Sequence, residues 1–267
     1  MKKSFWIIAA MAGVLFTACE NGDRDFPDFK YSAVYFAYQS PIRTITLGED
    51  PSVDNSLDNE HKCQIMATIA GVYENKKNVE IGIRVDNSLC DGYTFESTKG
   101  DIMPLPTSHY TLSDDKIVIK KGQVLGGVTV NLTDAFFNDP KATELNYVIP
   151  VVMTGVQNAD SILEGKPSVD TPDRVNKEDW EVQSKDYILY AVKYISKYDS
   201  HYLRRGVDTY TGNKTGTEVR HAANVEKDET IGGFSTLGLN KVQWERPTKD
   251  AAGKNVEANL ILTFDES

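Results

Sequence analysis

Val79-Glu80-Ile81-Gly82-Ile83-Arg84-Val85-Asp86 alternates apolar with polar or small residues along its length. That is the period of an extended strand with one buried face, carried by Val79, Ile81, Ile83 and Val85. Working outward, alternating or β-branched runs recur at Ala33 to Ala37, Arg43 to Leu47, Cys63 to Ala70, Lys116 to Lys120, Gly126 to Leu132 and Tyr147 to Thr154, with turn residues between them. Almost no stretch holds a 3.6-residue apolar period, so the chain reads as all-β. Short strands at regular spacing predict a β-sandwich. Cys63 to Ala70 and Val79 to Asp86 are expected to pair as a hairpin about Glu74-Asn75-Lys76-Lys77-Asn78. A helical turn is expected at Asp134 to Asn138, ended by Pro140.

From Gly155 the pattern lapses into a long loop, 155–185, rich in Asn, Asp, Gly and Pro. Asp186 to Ile195 follows. Tyr187, Tyr190, Tyr194 and Tyr198 are spaced as on a helix face, but the aromatic and β-branched content predicts a strand returning beside Tyr147 to Thr154. The sandwich then spans 28–196. A second, smaller β unit over 197–267 is expected, with Tyr202 to Gly206 and strands at Leu237 to Trp244 and Glu257 to Phe264. Its size is near the lower limit for an independent core, and Leu260 to Phe264 has no evident partner strand, so a truncated domain is expected, with packing of this piece on the sandwich as the alternative.

The N-terminus predicts location. Lys2 and Lys3 precede an apolar run, Phe5 to Phe16, and Thr17-Ala18-Cys19 closes it with small residues before a cysteine. The run is shorter than the roughly 20 residues that span a bilayer as a helix. It reads as a lipoprotein signal peptide, 1–18, with Cys19 lipidated and 19–27 an acidic tether; an ordinary secretory signal is the alternative. Losing Lys2 and Lys3 takes the formal charge from −10 to −12. An acidic surface disfavours nucleic acid and anionic headgroups, which leaves the lipid as the only membrane attachment.

Exported chains can form disulfides, and a Cys63–Cys90 bridge would stabilise by roughly 3 kcal/mol. Against it, the expected hairpin leaves Cys90 beyond the strand end, and two buried free thiols are the alternative. No zinc spacing, nucleophile elbow, P-loop or paired glycosidase carboxylates occur, so neither enzyme nor cofactor is expected. The acidic loop Glu49 to Glu60 lacks calcium-loop spacing and reads as solvated.

Aromatic side chains offer the better functional case, because sugar rings stack their C–H faces on them. Trp180, in the polar setting Asn176-Lys177-Glu178-Asp179-Trp180-Glu181, is the first candidate, with a role in pinning the long loop as the alternative. Tyr93 and Phe95 are further candidates.

Tyr35 to Gly48 (YFAYQSPIRTITLG) resembles the opening of a Bacteroidetes lipoprotein module, domain of unknown function 1735. Similar matches stand at Val85-Asp86-Asn87-Ser88-Leu89, Leu105 to Leu112, Leu132 to Phe137 and Tyr147-Val148-Ile149-Pro150. The resemblance implies an immunoglobulin-like sandwich, found in relatives ahead of endo-β-N-acetylglucosaminidase domains, lectin-like sandwiches or a further uncharacterised module. Tyr198 to Ser267, with Tyr202-Leu203-Arg204-Arg205-Gly206, resembles the start of that last module. No catalytic residues come with the resemblance. It implies a surface glycan-binding or adhesion component acting with outer-membrane uptake proteins, or a structural spacer that binds no glycan. Glu20, Asp23 and Asp25 resemble the tag that sends such lipoproteins to the outer face of the outer membrane. Asp160-Ser161-Ile162 resembles an O-glycosylation site in an exposed loop, with Ser161 as the acceptor.

Overall fold

A computed structural model of the chain describes residues 29–265 apart from 204, 213–214, 222–229, 232, 250–251 and 253. The expected signal peptide (1–18), lipidated Cys19 and acidic tether (19–27) lie outside the described residues. No described helix is long and apolar enough to cross a membrane.

The chain is all-β. In order, its first part contains β1 (Ala33–Tyr35), β2 (Ile42–Thr46), the helical turn α1 (Ser56–Asn59), β3 (Lys62–Ala70), β4 (Val79–Val85), β5 (Met103–Pro104), β6 (Tyr110–Leu112), β7 (Lys116–Ile119), β8 (Leu125–Leu132), α2 (Asp134–Phe137), β9 (Tyr147–Gln157), β10 (Ser161–Ile162), β11 (Lys166–Pro167), β12 (Trp180–Val182) and β13 (Tyr187–Ile195). One curled sheet runs β10-β1-β3-β8-β7-β4-β9-β13-β2, with β6 on β8 and β5 on β9. The curl closes it into a sandwich. Inward-facing Val34, Ile65, Val130 and Phe36 meet Ile81, Ile117, Ile149 and Tyr194 in one core.

Strands that change partner make both corners. Consecutive strands β6 and β7 pair with β8 and β4 respectively, and β7 is paired with β8 at the single bridge Val118↔Gly127. On the other side β1 lies antiparallel to β3, whereas β2 lies parallel to β13. Bends of this kind let one strand serve two packed sheets.

The hairpin expected between Cys63–Ala70 and Val79–Asp86 does not form. Both edges of β3 are taken, by β1 and β8, and β4 pairs with β7 and β9. The intervening segment instead arches from one half of the sandwich to the other. Gly71, at φ +77°, lets the chain leave β3 where a Cβ would meet the Tyr31 carbonyl. Asn75 fastens the arch to the β7–β8 turn, donating from Nδ2 to the carbonyls of Lys120 (3.1 Å) and Gln123 (3.0 Å). By contrast, β13 returns beside β9 in antiparallel register, Tyr187↔Val152 to Val192↔Tyr147.

The second part contains β14 (Tyr202–Leu203), β15 (Arg205–Tyr210), β16 (Gly216–His221), β17 (Thr230–Ile231), β18 (Phe234–Gly238), β19 (Lys241–Lys249) and β20 (Asn255–Thr263). The strand expected over Leu237 to Trp244 straddles the turn between β18 and β19, because Gly238 and Lys241 close a hairpin there. Leu260 to Phe264 does have a partner: β20 pairs with the whole of β19, from Lys241↔Thr263 to Lys249↔Asn255. A hydrogen bond joins the two parts, and two more within the second part hold its acceptor in place. Ser196 N donates to Thr236 Oγ1 (2.9 Å), and Thr236 donates from N and Oγ1 to Asp199 Oδ2 (3.0 and 2.8 Å).

Candidate functional site

Strands β9 and β13 are buried at successive positions instead of alternate ones. Both of their faces are covered. Ile149, Val151, Ile188, Tyr190 and Val192 enter the sandwich core, while Val148, Val152, Tyr187, Leu189 and Ala191 form a second apolar cluster on the outer face with Leu89, Cys90 and Phe95. The cover is the segment between β4 and β5. It begins with a 3₁₀ turn, Asn87–Cys90, capped by the Asp86 carboxylate, which accepts from Ser88 N (3.3 Å) and Oγ (2.6 Å). It then folds back on itself, with Phe95 N donating to Gly100 O (2.9 Å) and Ile102 N to Tyr93 O (3.0 Å).

Between this cover, the β2–β13 edge and the loop before β12 lies a cavity of about 580 Å³. Ile42, Val148, Leu189 and Ala191 form its floor. Tyr93, Phe95, Ile102 and Val175 form its walls, and Ser40, Thr94, Glu96, Ser97 and Lys177 its polar rim. An apolar concavity with a few polar groups at its mouth is the usual form of a small-molecule site.

Asp173 ties the walls together. Its Oδ2 accepts from the Tyr93 hydroxyl (2.7 Å), its Oδ1 from Val175 N (2.9 Å), and its own N–H donates to Asp179 Oδ2 (2.8 Å). Burial, followed by the hydrogen bond to Asp173, pushes the Tyr93 phenol well above its ordinary pKa, so it remains a neutral donor. Trp180 stands behind this wall. Its Nε1–H donates to the Asp173 carbonyl (2.7 Å), and it does not line the cavity. The structure thus places Tyr93 and Phe95 at the cavity and gives Trp180 the loop-pinning geometry. Arg174 adds a second tie, its Nε donating to both oxygens of the buried Asp186 carboxylate (3.2 and 3.0 Å).

The remaining predicted residues lie elsewhere. Cys63 and Cys90 are free, buried thiols, Cys63 in the sandwich core and Cys90 in the outer cluster, so the structure contains no bridge between them. Burial pushes both up to about 11, which disfavours the reactive thiolate. Ser161 is in β10, paired with β1 instead of standing in an open loop, and the Asp160 carboxylate accepts from Ser32 N and Oγ (both 2.7 Å). In the acidic loop Asp58 turns inward to an ion pair with Arg43, and its Oδ2 accepts from Thr46 N (2.9 Å). Among the described residues no three His, Cys, Asp or Glu side chains gather as metal ligands.

A second polar cluster lies at the foot of β9. Ser108 Oγ contacts His109 Nδ1 (3.0 Å), His109 Nε2 contacts Asp139 Oδ2 (3.1 Å), and the Tyr147 hydroxyl donates to the same oxygen (2.6 Å). Asp139 Oδ1 accepts from Lys141 N (2.9 Å), capping the 3₁₀ turn Pro140–Thr143. Burial would raise the Asp139 carboxyl, but the combined donors Tyr147, Lys141 and His109 hold it below the ordinary carboxylate range. A group depressed in the folded state stabilises above its unfolded pKa, about 3.9, and loses that contribution as pH falls through its folded value. Acidification below about pH 4 should therefore lower the melting temperature more in the native chain than in Asp139→Asn. Parallel acid profiles for the two would refute the cluster's role. Tyr147, raised to about 12 by burial and then by Asp139, stays protonated throughout that range.

The fold and its lateral cavity define a class: a two-part β protein whose sandwich carries a pocket on one outer face. A family model described as an N-terminal domain matches residues 29–160, and the domain of unknown function 5627 matches residues 197–267. A Bacteroides ovatus protein of unknown function is 46% identical, with a TM-score of 0.84 over 89% of this chain and 76% of its own. The chain belongs to the family of that protein. Two more distant structures are a multidomain protein including domain of unknown function 1735 from Bacteroides ovatus (12% identity, TM-score 0.44, covering 89% of this chain and 69% of its own) and an auxiliary nutrient binding protein from Bacteroides thetaiotaomicron (10% identity, TM-score 0.37, covering 86% and 67%). Among the curated proteins nothing matches.

Proposed function

We propose that the chain is a non-catalytic lipoprotein, anchored through Cys19 on the outer face of the outer membrane, whose first part is a domain of the 1735 kind and binds glycan in the cavity beside Tyr93. The observation that carries this reading is the cavity itself: an apolar floor on β9 and β13, an aromatic wall, and hydroxyls at the rim where sugar hydroxyls would exchange hydrogen bonds. Its partners are a glycan and the outer-membrane proteins that take glycan up. The charged, apolar and small-residue stretch that ends at Cys19 and the acidic residues after it support the location.

A spacer role is the second reading, favoured by the hydrogen-bonded joint at Ser196, Asp199 and Thr236, which fixes the second part to the first. A glycan array probed with the chain from residue 19 onward, carrying Cys19→Ser, decides between them. Tyr93→Ala should weaken any glycan retained by the native chain at least tenfold, about 1.4 kcal/mol, while Trp180→Phe, which removes only the indole donor, should have a smaller, indirect effect. Retention of no glycan at all would leave the spacer reading, and undiminished binding by Tyr93→Ala would remove the sugar from this cavity.

A further inference from the structure

We infer that the cavity is built for a sugar bearing a single carboxylate, of the uronate or sialate kind. This rests on the glycan-binding reading above and adds the class of sugar. Two opposite charges, Lys177 and Glu96, line the mouth, both exposed and on different loops. Neither takes part in an ion pair among the described residues, whereas Lys62, Lys116 and Lys166 pair with Glu60, Glu80 and Glu181. An unpaired lysine on an open surface is ordinary. Here it is the cation at the polar rim of a cavity whose floor and walls are apolar, in a chain of formal charge −10 that repels anions in general.

The backbone under Lys177 is also held in place. Asn176 Oδ1 accepts from Glu178 N (3.2 Å), Asn176 Nδ2 donates to Asp179 Oδ1 (2.8 Å), and Asp179 is itself bound to the Asp173 knot. A fixed base reduces the ordering cost that an ammonium incurs when it captures an anion. Lys177 would take the carboxylate as a point charge, and Glu96 would accept from hydroxyl or amide donors at the other end of the sugar. One ammonium at the mouth balances one negative charge, and Glu96 on the same rim opposes a second, so a monoanion is favoured over a dianion such as a phosphate monoester.

The test is titration of the Cys19→Ser chain with glucuronate- and N-acetylneuraminate-terminated oligosaccharides, with the same oligosaccharides after reduction of the carboxylate to an alcohol, and with sulfated counterparts. At least one carboxylated sugar is expected to bind tenfold or more tighter than its reduced form, with the margin shrinking as salt is raised. Lys177→Met should abolish that margin and leave residual binding equal to that of the reduced sugar, whereas Tyr93→Ala should weaken both forms. Equal binding of carboxylated and reduced sugars, a margin that survives Lys177→Met, or preference for the sulfated sugar would each overturn the inference while leaving a glycan site in place. Absence of binding to every sugar of this panel would overturn the inference, and the glycan reading would fall with it only if the glycan array is silent as well.

Discussion

Phe136→Ala is expected to cost about 3–5 kcal/mol of stability, seen as a lower denaturant midpoint at unchanged slope. Phe136 is fully buried where α2 enters the core, edge-on to Phe137 (5.1 Å between centroids) and tilted against Tyr194 (5.8 Å). The three rings form one unit with no solvent face on Phe136, so truncation leaves a cavity that the surrounding strands cannot collapse to fill. The Tyr194 hydroxyl donates to the Phe137 carbonyl (2.7 Å), and burial raises its pKa to about 12. Tyr194→Phe should cost less, about 1 kcal/mol, and the double variant should depart from additivity because the two rings touch. A loss below about 1 kcal/mol for Phe136→Ala would mean that this corner is less tightly packed than the ring contacts indicate.

Gly126→Val is expected to destabilise at or above the usual 1–3 kcal/mol for overpacking. Its neighbour Gly127 makes the one bridge between β7 and β8, where the sheet bends into a sandwich. A Cβ on Gly126 would stand 2.3 Å from the Val118 carbonyl oxygen and 2.9 Å from the Ile119 Cα. Both obstacles are backbone, so no rotamer change relieves the clash. Gly155 is the control: a Cβ there meets nothing within 4 Å, and Gly155→Ala should stay within about 0.5 kcal/mol of the native chain. Thermal melts of the two variants would distinguish a crowded corner from a general intolerance of side chains at glycines, which equal losses would indicate.

The strands themselves were legible because their period shows directly which residues face inward: Val79, Ile81 and Ile83 are all buried, and only Val85, at the end of β4, is partly open. Partnership was not legible. Alternation names the buried face of β3 but says nothing about its edges, and those edges are filled by residues far away in sequence. At the site, Tyr93 and Phe95 are legible as aromatics in a loop, whereas the hydrogen bond from the Trp180 indole to a carbonyl seven residues back, which pins the loop, has no signature in the sequence. The floor did carry a signal: Tyr187 to Val192 is apolar or aromatic at every position, as happens when both faces of a strand are covered. Lys177 and Glu96 carried none, because a charge in a polar loop looks the same in sequence whether it faces open water or a cavity.

The parallel pairing of β2 with β13 bears on how the sandwich withstands force. Tension applied through the two ends of this part first meets β1, held antiparallel to β3 and parallel to β10, and then β2, whose five partners from Ala191↔Ile42 to Ile195↔Thr46 run in the same direction along β13. Because the pull enters at the start of β2 and leaves at the end of β13, it slides the strands lengthwise past each other. The rungs between them are then loaded together, and they must fail together. That places a mechanical clamp directly ahead of the joint at Ser196, so a tug on the second part is borne by the β2–β13 ladder before the core beneath it is disturbed.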